Sequence, residues 1–180
     1  RIMAVGMESN KAKIARRVVE VLDYFDDTHP QATVMDIVRR YNRPQSSTSE
    51  LLSSLVELGL LYKDPYSRSY TLTPRSAMLG AIAQPDLIRN GSLVSLIDRL
   101  VAQTGLSAAI YGMVSMNAQI FMHKTGNQPI VTSNPKGISS GLQDQLANSA
   151  AGRLLLSTVS QPRRDGLIRR LNAEASEDRK

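Results

Sequence analysis

"TVMDIVRRYNRPQSSTSELLSSLVELGLL", Thr33 to Leu61, holds two helical patterns with a break of three or four residues between them. Val34, Ile37, Val38 and Tyr41 fall at i, i+3, i+4 and i+7, the apolar face of a short helix. Thr33 with Asp36 three residues on reads as a capping box at its start. Asn42 and Arg43 make the connection, and Pro44 suits the first turn of the next helix, where its missing N–H is not needed. On that next helix Thr48, Leu51, Leu52, Leu55 and Leu58 share one face, Ser46, Ser49, Glu50, Ser53 and Glu57 the opposite one, and Gly59 ends it. Five serines and a threonine between Ser46 and Ser54 are a poor choice for helix stability, because their hydroxyls compete for backbone hydrogen bonds. Something other than helix propensity must favour them.

Upstream, Ile14, Val18, Val21, Leu22 and Phe25 recur at helical spacing and predict a helix from about Asn10 to Asp26, broken by "DDTHPQA". Downstream, "LLYKDPYSRSYTL" sets two short runs rich in Leu, Tyr and Thr around the turn signal "DPYSR" and reads as a β-hairpin. Three helices with a short second turn, then a hairpin, make a winged helix-turn-helix. If the third helix enters a DNA major groove, its exposed start lies close to bases and phosphates, where short hydrogen-bonding side chains fit. Gln45 is then placed to pair with an adenine, and Ser46, Ser47 and Ser49 to bond phosphates or base edges. Arg43 beside the turn and Arg68 at the wing tip supply charge, and Thr33 joins this DNA-facing set. Glu50 either accepts from a cytosine amino group or folds back onto Arg43 or Arg39. The competing readings are a plain solvated helix face and a winged helix that binds only protein.

The whole chain limits the alternatives. Its 180 residues, 42% hydrophobic and 21% charged, suit one ordinary domain or two small ones. With no Cys and two His, disulfides, cysteine-based zinc sites and thiol nucleophiles are excluded, and imidazole chemistry nearly so. His123 stands in a strand pattern without nearby ligands and reads as structural, and no nucleophile and base stand out, so neither an enzyme nor a metal or cofactor is expected. Only 4% of residues are aromatic and none is Trp, which argues against a base-stacking platform for single strands. There is no apolar run long enough to cross a bilayer, and "RIMAVGM" does not read as a secretory signal, so a cytoplasmic protein is the expectation. The net charge of +6 favours an acidic partner, nucleic acid first. Up to Arg75 the chain carries 11 basic against 9 acidic residues, so the excess lies in local clusters, "KAKIARR", "RRYNR" and "PRRDGLIRR", each of which also reads as a solvated helix face.

The run from "TVMDIVRRY" to "YTLTPRSAMLG" resembles the DNA-binding domain of IclR-type bacterial transcriptional regulators, including the Pro that opens the recognition helix, the "LVELGLL" that closes it and the "YTLTPR" that leaves the wing. Further on, "QLANSAAGRLLLS" is similar to the segment that begins a helix in that family's effector domain. The resemblance implies a dimeric regulator of double-stranded DNA, a homodimer or dimer of dimers, controlled by a small organic effector. Family members often carry a basic residue at the place of Gln45 and an arginine at the place of Glu50, which implies a less cationic recognition helix and a different operator. The chain also stops, in the polar "NAEASEDRK", before the family's effector domain would, which implies a partial one.

The fold class expected is therefore α+β: a winged helix-turn-helix over 10–73, a linker helix over 74–84 and a small α/β GAF-like region over 85–180. "PRSAMLGAIA", Pro74 to Ala83, reads as a compact apolar helix with almost no polar face, and Met78, Leu79 and Ile82 are its candidate dimer contacts. Leu93, Leu96, Ile97, Leu100 and Val101 predict an amphipathic helix ending at Gly105. "LSAAIYGMV", "QIFMHK" and "PIVTS" read as antiparallel strands, "NPKGISSGLQDQL" as loop then helix, and "SAAGRLLLSTV" as a helix whose Gly152 admits a second backbone. Ser149 and Gly152 are the candidate effector contacts, since helix starts bind anions, although a plain N-cap is the simpler role for Ser149.

Overall fold

A computed structural model describes residues 10–127 and 138–177. The chain divides into two compact units, Arg1–Arg89 and Asn90–Lys180. In the first, α1 (Asn10–Tyr24), α2 (Val34–Tyr41) and α3 (Gln45–Glu57) are followed by an antiparallel hairpin of β1 (Leu61–Lys63) and β2 (Tyr70–Leu72). The capping box forms: the Thr33 N–H donates to Asp36 Oδ2 at 2.7 Å, and Thr33 Oγ1 accepts from the Asp36 N–H at 3.3 Å. Asn42 closes α2 in a left-handed conformation, φ 50°, and Asn42, Arg43 and Pro44 make the turn into α3. Gly59, φ 75°, then reverses the chain out of α3, a conformation that costs a glycine little. "DDTHPQA" contributes more than a break, because Ala32 and Tyr70 exchange backbone hydrogen bonds at 2.9 and 2.7 Å and lay a third extended segment beside the wing.

These elements close over Val21, Ala32, Ile37, Leu52, Leu55, Leu60, Leu61 and Tyr70. Thr48, Leu52 and Leu55 of the expected apolar face of α3 are buried, but Leu58 is 61% exposed, because α3 ends one residue before it and the chain turns away. The apolar helix expected over Pro74 to Ala83 is two pieces. Helix α4 (Pro74–Met78) stops where Leu79 becomes extended, Gly80 adopts φ 74°, and a 3-10 turn follows at Ala81–Ala83. A four-residue helix α5, Asp86–Arg89, ends this unit.

The second unit starts with α6 (Ser92–Thr104), closed by Gly105 at φ 68°. Strands β3 (Ala108–Val114) and β4 (Asn117–Lys124) pair antiparallel through the tight turn at Ser115 and Met116, with a register shift between Ile110 and Tyr111. A short β5 (Gln143–Gln145) adds to the other side of β4, giving the order β3-β4-β5. Helices α7 (Ala150–Thr158) and α8 (Gln161–Glu177) complete the described part, which is mixed α+β. The helix expected inside "NPKGISSGLQDQL" is instead β5 and a 3-10 turn at Leu146–Asn148, held by the ladder to β4. Helix α8 carries the polar C-terminal stretch as far as Glu177, anchored by buried Leu171 with Leu167 packed beside it. "PIVTS", 129–133, lies outside the described residues. Among those described, no helix is long and apolar enough to cross a membrane.

Candidate nucleic-acid interface

The start of α3 is exposed at Gln45, Ser46 and Glu50 and half-buried at Ser47 and Ser49. Its serines and threonine are accommodated in two ways. Ser47, Thr48 and Ser54 donate back to their own helix, to the carbonyls of Pro44 (3.4 and 2.7 Å) and Glu50 (3.1 Å), so these hydroxyls are satisfied without leaving the surface they cover. Thr48 faces inward, where Oγ1 also accepts from the Arg17 guanidinium at 3.2 Å. Gln45, Ser46 and Ser49 are left to present short polar groups outward, and Pro44 gives the helix no side-chain cap.

Two members of the expected set are occupied inside the domain. Arg43 grips Glu20 of α1 with two hydrogen bonds, Nε to Oε2 at 3.1 Å and a terminal nitrogen to Oε1 at 2.5 Å, so its charge is largely offset. The Thr33 hydroxyl is consumed by the capping box, where it also donates to Asp36 Oδ2 at 2.7 Å. Glu50 therefore does not fold back onto Arg43, and among the described residues it has no ion-pair partner.

The wing is built around Asp64. Its Oδ1 accepts the N–H of Tyr66 at 2.7 Å and of Ser67 at 3.0 Å. Those bonds to the ionised form, that from Ser67 foremost, hold the Asp64 carboxyl below the usual carboxylate range. Arg68 follows in a left-handed conformation, φ 56°, with its N–H bonded to the Asp64 carbonyl at 3.0 Å, and its side chain is exposed. A non-glycine residue with positive φ is uncommon, and here the bonds of the turn around Asp64 hold it.

The remaining predicted site residues belong to other elements. Ser149 caps α7, its Oγ accepting the Gly152 N–H at 3.0 Å. Gly152 is buried against the backbone of Leu146, and a β-carbon there would sit 2.2 Å from the Leu146 carbonyl oxygen. The second backbone that the sequence required is thus the chain's own. Met78, Leu79 and Ile82 are 69%, 57% and 87% exposed. Sequence reasoning passed over Arg17 and Glu20, which brace α3 and its turn. "KAKIARR" was the available signal, but a solvated helix face has the same composition.

Residues 15–65 match the family model of the IclR helix-turn-helix domain. The chain carries an IclR-type helix-turn-helix domain. For this domain the resemblance read from the sequence holds, and the IclR-type match ends inside the wing, at Pro65. Solved structures similar to the chain include an IclR family transcriptional regulator from Brucella abortus, at 21% identity over 89% of this chain and 60% of that one, TM-score 0.43. An IclR homolog from Microbacterium hydrocarbonoxydans, complexed with 4-hydroxybenzoate, shares 17% identity over 86% and 62%, TM-score 0.49. A transcriptional regulator from Alicyclobacillus acidocaldarius shares 22% over 91% and 64%, TM-score 0.47. The chain thus spans about three fifths of the length of these structures. No curated protein matches it.

Proposed function

We propose that the protein is a sequence-specific, double-stranded DNA-binding transcriptional regulator that reads its operator through α3. The observation that carries this reading is the outward-facing start of α3, where Gln45, Ser46 and Ser49 present short hydrogen-bonding groups on an IclR-type domain whose inner face is fully packed. Gln45 is assigned to base reading and the exposed Arg68 of the wing to backbone phosphate. Arg43 and Thr33 hold the scaffold. Met78, Leu79 and Ile82, apolar and open to solvent, are assigned to a homodimer contact, which would present two α3 helices to a two-part operator. The second unit takes the sensor role that the family resemblance implies, with a small organic effector.

The test is a binding-site selection with the wild type and with Gln45→Ala, alongside the salt dependence of binding. The wild type should enrich one duplex sequence and bind more weakly as salt rises. Gln45→Ala should lose about 1–3 kcal/mol of discrimination at one base pair while remaining folded. Failure of the wild type to enrich any duplex would overturn the reading, and an unchanged preference in the variant would remove Gln45 from it.

A further inference from the structure

The outer face of α3 carries an acid among serines. Glu50 is exposed, with Ser46 and Ser53 on the same face one turn before and after it, and no side chain on that face between Gln45 and Glu57 is longer. Nothing inside the domain accounts for its charge. The first turn of α3, where an acid would complement the helix dipole, holds none, and Glu50 stands in the second turn. Three and four positions away along the helix are Ser46, Ser47, Ser53 and Ser54, so no basic neighbour pairs with it there. Arg43 is held by Glu20, Arg39 lies near the Asp36 carboxylate of its own helix, and among the described residues Glu50 makes no ion pair. Both of the internal partners that the sequence offered it are thus engaged elsewhere.

We infer that Glu50 reads a cytosine, its carboxylate accepting a hydrogen bond from the amino group on the major-groove edge of that base. The inference rests on the proposed function and adds to it the identity of a second base. On a helix face that approaches phosphates an unpaired acid is repelled, so a carboxylate there favours binding only where a donor meets it. The major groove offers two such donors, the amino groups of adenine and cytosine. Adenine sets its amino group beside the N7 acceptor, which repels a carboxylate, and guanine and thymine present no donor at all. Cytosine alone presents a donor without an acceptor of its own. The short serines on either side let the helix come close enough for the longer side chain to reach a base edge. Glu50 therefore selects in both directions, attracting one base and penalising the others.

The experiment is a binding-site selection from random duplexes with the full chain, for wild type, Glu50→Gln and Glu50→Ala, together with the affinity of each for a duplex of unrelated sequence. The wild type should prefer a C·G pair about tenfold at one position, and both variants should lose that preference while keeping the others. Glu50→Gln should turn the position toward adenine, which glutamine pairs bidentately. Affinity for the unrelated duplex should rise about two- to fivefold in both variants, because a negative charge near the phosphates is gone. A structural role predicts the opposite sign, since a damaged helix binds every duplex less well. A wild type that enriches no duplex overturns the proposed function and this inference together. A wild type that enriches a site, with variants that select the same bases at every position, overturns this inference alone. So does a relaxed position that is an A·T pair in the wild type, or a uniform loss of affinity for all duplexes.

Discussion

Leu52, Leu55, Ile37 and Tyr70 in the first unit are all at most 2% exposed, whereas α6 of the second unit, with an apolar pattern just as regular, buries only Ile97 and Val101 and leaves Leu96 and Leu100 42% exposed. The difference is not one of composition. In the first unit short elements are fixed by the Thr33–Asp36 box, Asn42, Gly59 and the Ala32–Tyr70 exchange, and the inner faces of α1, α2, α3 and the hairpin meet in one core. In the second, the core around Met116, Ala118, Leu146, Leu156 and Leu171 is drawn from β4 and its turn, the Leu146 turn, α7 and α8, and takes nothing from α6. Amphipathic periodicity thus says which face is apolar, while burial depends on whether the topology returns something to cover it.

The largest effect that can test this contrast comes from the first core. Leu52→Ala removes a fully buried side chain and should cost about 2–5 kcal/mol, with Leu156→Ala at or below the lower end because its site is already partly open to water. Amide hydrogen exchange resolved by residue should show lost protection confined to residues up to Arg89 for the first variant and to those beyond it for the second. Protection lost equally in both units after Leu52→Ala would mean that they unfold together, and the comparison would fail.

Gly152→Ala sharpens the contrast from the other side. The new β-carbon would meet the backbone of Leu146, itself fully buried, so the strain cannot be relieved by swinging a flexible side chain. A loss of about 1–3 kcal/mol is expected, with a lowered melting temperature for the second unit only. An unchanged melting temperature would show that α7 and the Leu146 turn slide apart easily.

How much was legible follows from the same division. The three front helices, the capping box, the Pro44 start and the hairpin were readable because each rests on residues within a turn of one another. Thr48 could be placed on the buried face by spacing, but its bond to Arg17, 31 residues away, could not. The pairing of Arg43 with Glu20, 23 residues away, was missed for the same reason. β5 was hidden because "QDQ" has no strand preference and is extended only by its ladder to β4. The break at Gly80 was misjudged because leucine and alanine on either side are good helix formers, and only the backbone shows that the glycine turns left-handed. The outward set on α3 was readable as a surface, not as a list of contacts.

The smallest expected effect is that of acid on the front unit's local bonds. The Asp36 carboxyl is held below the usual carboxylate range, first by the Thr33 N–H and then by the Thr33 hydroxyl, both of which favour its charged form. A folded-state pKa below the unfolded value of about 3.9 means that the box contributes fully above that pH and loses its contribution as pH falls through the lower folded value. The side chain is solvated enough that screening keeps the effect modest. Unfolding by urea, followed at the first unit's amides from pH 6 downward, should therefore show a midpoint that falls with acid below about pH 4 in the wild type. Asp36→Asn should start from a lower midpoint at pH 6 and depend less on pH, because asparagine has no proton to gain. Equal pH dependence in the two proteins would assign the acid sensitivity to other carboxylates, with Asp64 in the wing the first to examine, since the same kind of backbone bonds hold it down.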